Sequence, residues 1–115
     1  MVIGLDCAAP QLVFDTWLDE LPTIKSLARR GKYGVLRSCD PPITVPAWSV
    51  MTSSRNPGTL GFYGFRNRKD RSYDRLSLAD SRAVKLPRVW DLLSLRDRPV
   101  IVLGVPQTYP VSRVN

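Results

Sequence analysis

The sequence predicts an α/β fold, a mostly parallel sheet with flanking helices. Three observations point there. Segments read in the order strand, helix, strand, helix, loop, helix, strand, and such alternation places helices on the faces of a sheet. The apolar runs at residues 2–5 and 99–105 are continuous, as in strands buried on both faces. No internal repeat and no low-complexity linker divides the chain.

Residues 2–5 predict a strand that empties at Asp6 into small residues and Pro10. Residues 11–30 then carry Leu12, Val13, Phe14, Trp17, Leu18, Leu21, Ile24 and Leu27 at helical spacing. A break is expected near Pro22, with Thr23 as cap of the second piece. Arg29 and Arg30 fall in the last turn and Gly31 follows, as helix C-termini favour. Residues 33–38 read as a second short strand. At residues 40–48, Asp-Pro-Pro-Ile-Thr-Val-Pro-Ala-Trp, two prolines force an extended approach. Thr44 is placed to act as a helix N-cap, and Pro46 sits in the first turn, where its missing N–H costs nothing. That helix is expected over about 45–54, with Asn56-Pro57-Gly58 as its stop. Residues 58–73 read as a loop bearing glycines and aromatics, residues 86–93 open a short helix, and residues 99–105 form the last strand. Trp17, Trp48 and Trp90 occupy helix positions that suit core packing.

Length and composition bound the function. At 115 residues the chain is long enough for one small domain and too short for two. Hydrophobic content of 43% with 23% charged residues fits a folded chain and excludes a disordered one. No window approaches a membrane span, and the start, Met-Val-Ile-Gly-Leu-Asp, has neither a basic leader nor a sustained apolar stretch. Cys7 and Cys39 match no zinc spacing and give no disulfide framework, so they read as reduced, partly buried thiols of a cytoplasmic protein. The net charge is +7, and residues 66–88 hold eight cations (Arg66, Arg68, Lys69, Arg71, Arg75, Arg82, Lys85, Arg88) against three acids. Such a segment can meet an anionic ligand or a nucleic acid, and it can equally be a solvated loop. Histidine is absent.

Two residues stand where chemistry gathers. Ligands of open α/β sheets collect beyond the carboxyl ends of strands, and Asp6 lies at such an end. A carboxylate there suits a cation, although a loop-capping role is equally open. Thr44 places a hydroxyl at the positive end of a helix, beside N–H groups that favour phosphate and could stabilise charge on a phosphoryl oxygen. An unaided threonine is a poor nucleophile and needs a base or a metal.

Val-Ile-Gly-Leu-Asp (2–6), Pro-Pro-Ile-Thr-Val-Pro-Ala-Trp (41–48) and Asn-Pro-Gly-Thr-Leu-Gly (56–61) occur in that order, followed by Val-Trp-Asp-Leu-Leu (89–93) and Val-Pro-Gln-Thr-Tyr-Pro (105–110). This ordered set resembles the start of the type I phosphodiesterase and nucleotide pyrophosphatase family, within the alkaline phosphatase superfamily. The resemblance implies a partial alkaline-phosphatase-like sheet and metal-dependent hydrolysis of phosphoesters or phosphodiesters. It implies that Asp6 binds a metal. It also implies that Thr44 is the metal-activated nucleophile, itself a metal ligand, which passes through a phosphothreonine intermediate. Two divalent ions, zinc in most relatives, would serve the complete enzyme, and a small phosphate ester would be its substrate. Neither a specific nucleic acid nor a membrane segment is expected.

Two departures qualify the match. Pyrophosphatase members carry an asparagine about twenty residues past the nucleophile, where this chain has Phe65, and Asn67 is the nearest substitute for that substrate contact. The family's other Asp and His ligands come from well beyond the nucleophile, and this chain has no histidine. Residues 1–115 are therefore expected to be the N-terminal part of one catalytic domain, truncated at its C-terminal end, with no ion held stably. The alternatives are an anion- or nucleic-acid-binding module built on residues 66–88, or an inert truncated product.

Overall fold

The computed structural model describes residues 1–70 and 72–115, which form two compact units, Met1–Arg37 and Ser38–Asn115. Arg71, counted among the basic residues above, lies outside the described residues.

In the first unit residues 2–5 form no strand, and Val2, Ile3 and Leu5 are exposed. A continuous apolar run encodes burial on both faces, which requires neighbouring strands and covering helices. Here the run finds no ladder. The expected 11–30 helix is broken ahead of Pro22 into a π-helical turn Gln11–Thr16, a 3-10 turn Leu18–Glu20 and α1, Pro22–Arg30. The break follows from proline, which has no N–H to continue a helix but fits the first helical position. Leu21, not Thr23, is the N-cap, and no side chain caps it. Arg29 and Arg30 do occupy the last turn. Gly31 is the C-cap, its N–H bonded to the Leu27 carbonyl, and a Cβ there would stand 3.0 Å from that oxygen. Phe14 stacks on Tyr33 with ring centroids 4.9 Å apart, and the Lys25 ammonium pairs with Asp19. Residues 33–37, expected in a strand that ran on to Ser38, make no ladder. Cys7 is exposed, against the expectation of a partly buried thiol, and Trp17 is half exposed.

The second unit holds the core. α2, Thr44–Ser53, buries Val45, Pro46 and Ser49. Ser54 ends it in the left-handed region at φ 55°, so the stop comes before Asn56-Pro57-Gly58. That tripeptide instead starts α3, Pro57–Leu60, with Asn56 Oδ1 accepting from the Thr59 N–H at 2.8 Å. Val45, Leu60 and Phe62 form the buried cluster, and Val50, Ala79, Ala83, Val84 and Leu86 pack on it. Part of the expected 58–73 loop is β1, Arg66–Arg68, paired antiparallel with β2, Leu76–Leu78, in the register Arg66 to Leu78 and Arg68 to Leu76. A 3-10 turn, Ser81–Ala83, is capped by Asp80, and α4, Val89–Ser94, matches the short helix expected there. Residues 99–105 form no strand, and Ile101 and Leu103 are exposed. Val100 N–H bonds to the Asn115 carbonyl at 2.6 Å.

Among the described residues, then, the chain combines helices with one two-stranded antiparallel sheet. The mostly parallel sheet read from the sequence is not what they show. A parallel sheet needs several strands side by side under crossover helices. The three segments read as its strands, 2–5, 33–38 and 99–105, pair in no ladder here.

Candidate active site

α2 is apolar along most of its length, with Val45, Pro46, Ala47, Trp48, Val50 and Met51. Such a helix is held by burial on more than one side. Ile43 is the N-cap in extended conformation, and Thr44 is the first helical residue, one position inside the cap role expected of it. The Ala47 N–H closes the first turn onto the Ile43 carbonyl at 2.9 Å. Pro46 lies in that turn as expected and is buried, and its ring replaces an N–H that would have had no helical acceptor. Thr44 itself is half-buried. Its hydroxyl is therefore carried at the positive end of a ten-residue helix whose first turn is fixed by the buried Val45 and Pro46.

Sequence reasoning missed what anchors α2 further along. Ser49 is 1% exposed, and its hydroxyl donates to the side-chain oxygen of Gln107. Gln107 adopts a left-handed backbone with φ 61°, and its carbonyl accepts from the Arg88 guanidinium at 2.8 Å. A chain of bonds thus ties α2 to residue 107 and on to the N-cap of α4. The one available signal was a serine set between Trp48 and Val50 in a largely apolar helix, since a buried polar group needs a partner.

Asp6 sits in an exposed turn of the first unit, next to Cys7 at φ 58°. Ala9 N–H returns to the Cys7 carbonyl at 3.0 Å. Asp6 thus belongs to the first unit and Thr44 to the second. Asn67, nominated for a substrate contact, has both ends of its amide engaged within its own loop. Its Oδ1 accepts from Tyr63 N–H at 2.8 Å, and its Nδ2 donates to the Gly64 carbonyl at 2.8 Å. One Nδ2 hydrogen remains for a ligand.

Among the described residues the cations of the basic segment have different surroundings. Arg66 and Arg68 share a face of the hairpin with Leu78 and Leu76, and Arg68 lies over Tyr73 at 4.4 Å. Arg82 pairs with Asp80 at 2.5 Å, and Arg88 is buried. Nucleic-acid binding requires cations and aromatics aligned along one surface. The two leucines interrupt such a surface, Arg88 is withdrawn from it, and Arg82 has its charge paired with Asp80.

The family model for type I phosphodiesterase / nucleotide pyrophosphatase matches residues 1–114. The chain belongs to this family. Phosphodiesterase and nucleotide pyrophosphatase membership supports phosphoester hydrolysis at the level of the family, which is generally metal-dependent and acts on phosphate esters. No curated protein and no solved structure compared with this family member matches it. No described helix is long and apolar enough to cross a membrane.

Whether these residues fit the family's metal ions is a question of donors. A catalytic zinc takes three protein ligands and keeps a fourth position open. Among the described residues no group of three His, Cys, Asp or Glu side chains converges, and the chain has no histidine. The donor set among the described residues does not fit a two-ion site.

Proposed function

We propose that this chain supplies the nucleophile and one metal-ligand carboxylate of a phosphoester or phosphodiester hydrolase. The remaining ligands would lie outside these 115 residues, and a mostly parallel sheet would belong to the complete domain. Thr44 is the nucleophile and Asp6 the carboxylate. The observation that carries the reading is the placement of Thr44 as the first residue of α2. Attack of its hydroxyl oxygen on phosphorus forms the oxygen–phosphorus bond of a phosphothreonine and releases the ester's alcohol. Water then cleaves that bond and restores Thr44. The positive end of α2 lowers the cost of negative charge on the phosphoryl oxygens. Burial of Val45, Pro46 and Ser49 holds the turn that carries Thr44, which supports a positioned hydroxyl. Divalent ions, zinc by the family resemblance, are the expected cofactors of the complete enzyme, with Asp6 as one of their ligands. Asn67, through its remaining amide hydrogen, is the proposed contact to a phosphoryl oxygen.

The test is Thr44→Ala in the complete protein, assayed on an aryl phosphodiester. Turnover is expected to vanish while the circular dichroism spectrum is kept, because the buried Val45, Pro46 and Ser49 that hold α2 are untouched. Retained turnover would exclude a phosphothreonine route. Asp6→Ala is expected to weaken metal binding together with turnover.

A further inference from the structure

The second unit buries a cation, Arg88, whose guanidinium makes no ion pair among the described residues. Arg88 is 6% exposed. Its Nη1 donates to the Gln107 carbonyl at 2.8 Å and its Nη2 to the Ser81 carbonyl at 3.5 Å, both neutral acceptors. The Trp90 ring lies against the guanidinium, 5.0 Å from its carbon. Among the described residues the ion pairs are Lys25 with Asp19 and Arg82 with Asp80, so none reaches Arg88. Asp91, whose charge Arg88 does feel, turns its carboxylate onto the Arg88 backbone N–H at 2.8 Å. Burial accordingly pushes the guanidinium below the ordinary arginine value. A charge taken out of water in this way gains from any anion brought against it.

There is room for one. Arg88 walls a cavity of about 110 Å³ together with Trp90, Thr108 and Ser112 and the side chains of Val102, Val111 and Val114. An engineered cavity of about 150 Å³ admits benzene. A slightly smaller space has room for a four-oxygen anion. Thr108 already donates its hydroxyl to the Val105 carbonyl at 2.7 Å. The donors left for a ligand are the remaining guanidinium N–H groups, in their planar fork, and the Ser112 hydroxyl. The neighbourhood is short of acceptors besides, since the buried Nε2 of Gln107 has no partner among the described residues.

We propose that this cavity binds a small tetrahedral oxyanion, gripped by the edge of Arg88 and by the Ser112 hydroxyl. The site does not depend on the role assigned to Thr44. It is tested by titrating inorganic phosphate into the full chain calorimetrically, with chelator present and ionic strength held constant so that general screening is unchanged. The unsubstituted chain gives a saturable one-site isotherm. Ser112→Phe fills the cavity from an exposed position and weakens binding at least tenfold, and so does Arg88→Lys, which keeps the charge and loses the fork. Thr44→Ala binds as the unsubstituted chain does. Absence of saturable binding, equal affinity in Ser112→Phe, or loss of binding in Thr44→Ala overturns the proposal. Where Arg88→Lys fails to fold by circular dichroism, Ser112→Phe decides.

Discussion

Asp80 does two jobs with one carboxylate. Its Oδ1 accepts the Arg82 N–H at 2.9 Å to cap the 3-10 turn, and its Oδ2 holds the Arg82 guanidinium at 2.5 Å. That hydrogen bond to Arg82 is the main reason its carboxyl lies below the ordinary aspartate value of 3.8. Asp19 is lowered chiefly by its bond to Lys25, and Asp70 by its bond to Ser72. A carboxyl whose folded value is depressed contributes stability that is complete above its unfolded value and is lost as pH falls through the folded one. The acid limb should therefore lie at and below pH 3.8. Asp80→Asn keeps the capping acceptor and removes the ionisation, so urea midpoints should fall less steeply with acid in that variant than in the parent. An unchanged acid slope would remove Asp80 from the account. In the core, Phe62 is 3% exposed against Val45 and Leu60. Phe62→Ala should cost about 3–5 kcal/mol, read as a lower urea midpoint at unchanged slope.

At the scale of elements, the end of α2 carries a cost that can be removed. Ser54 holds φ 55° and ψ 32°, a conformation that glycine enters freely and an ordinary residue does not. Ser54→Gly should raise stability by about 0.5–1 kcal/mol, less whatever freedom glycine returns to the unfolded chain. A fall in melting temperature would show that the serine side chain holds the turn in some other way. The adjoining cap works in the opposite direction, since Asn56→Ala loses the bond to Thr59 N–H and should cost about 1 kcal/mol. Elements whose cause is local were legible in the sequence. Pro22 announced the break before α1, Arg29 and Arg30 its last turn, and the Thr44–Pro46 segment the start of α2, each through one residue's backbone chemistry. The hairpin Arg66–Arg68 with Leu76–Leu78 was not legible. Its strands are three residues long and mostly polar or charged, so no period-two pattern of useful length exists. Nor was the Ser49–Gln107 bond, which joins residues 58 apart in the chain.

For the whole molecule, the segments read as strands, residues 2–5, 33–38 and 99–105, say only that their apolar side chains favour burial. They do not name the partners that would bury them, and Ile101 and Leu103 stand exposed here. The same limit applies to the candidate site. Thr44 could be placed from the proline and helix signals around it, whereas ligand convergence depends on residues far apart in sequence, which no local pattern records. Zinc chemistry turns this into a prediction. A zinc ion that catalyses needs about three protein ligands and an open position. The described residues gather no three His, Cys, Asp or Glu side chains, and no imidazole exists in the sequence to complete a set. Exposed Cys7, beside Asp6, would bind zinc as a competitor of the carboxylate rather than as its helper. The 115-residue chain with excess zinc should therefore hydrolyse an aryl phosphodiester no faster than its Thr44→Ala variant. Turnover in the unsubstituted chain that disappears in the variant would mean that these residues assemble a working site unaided. The division of ligands proposed above would then be wrong, although Thr44 would stand confirmed as the nucleophile.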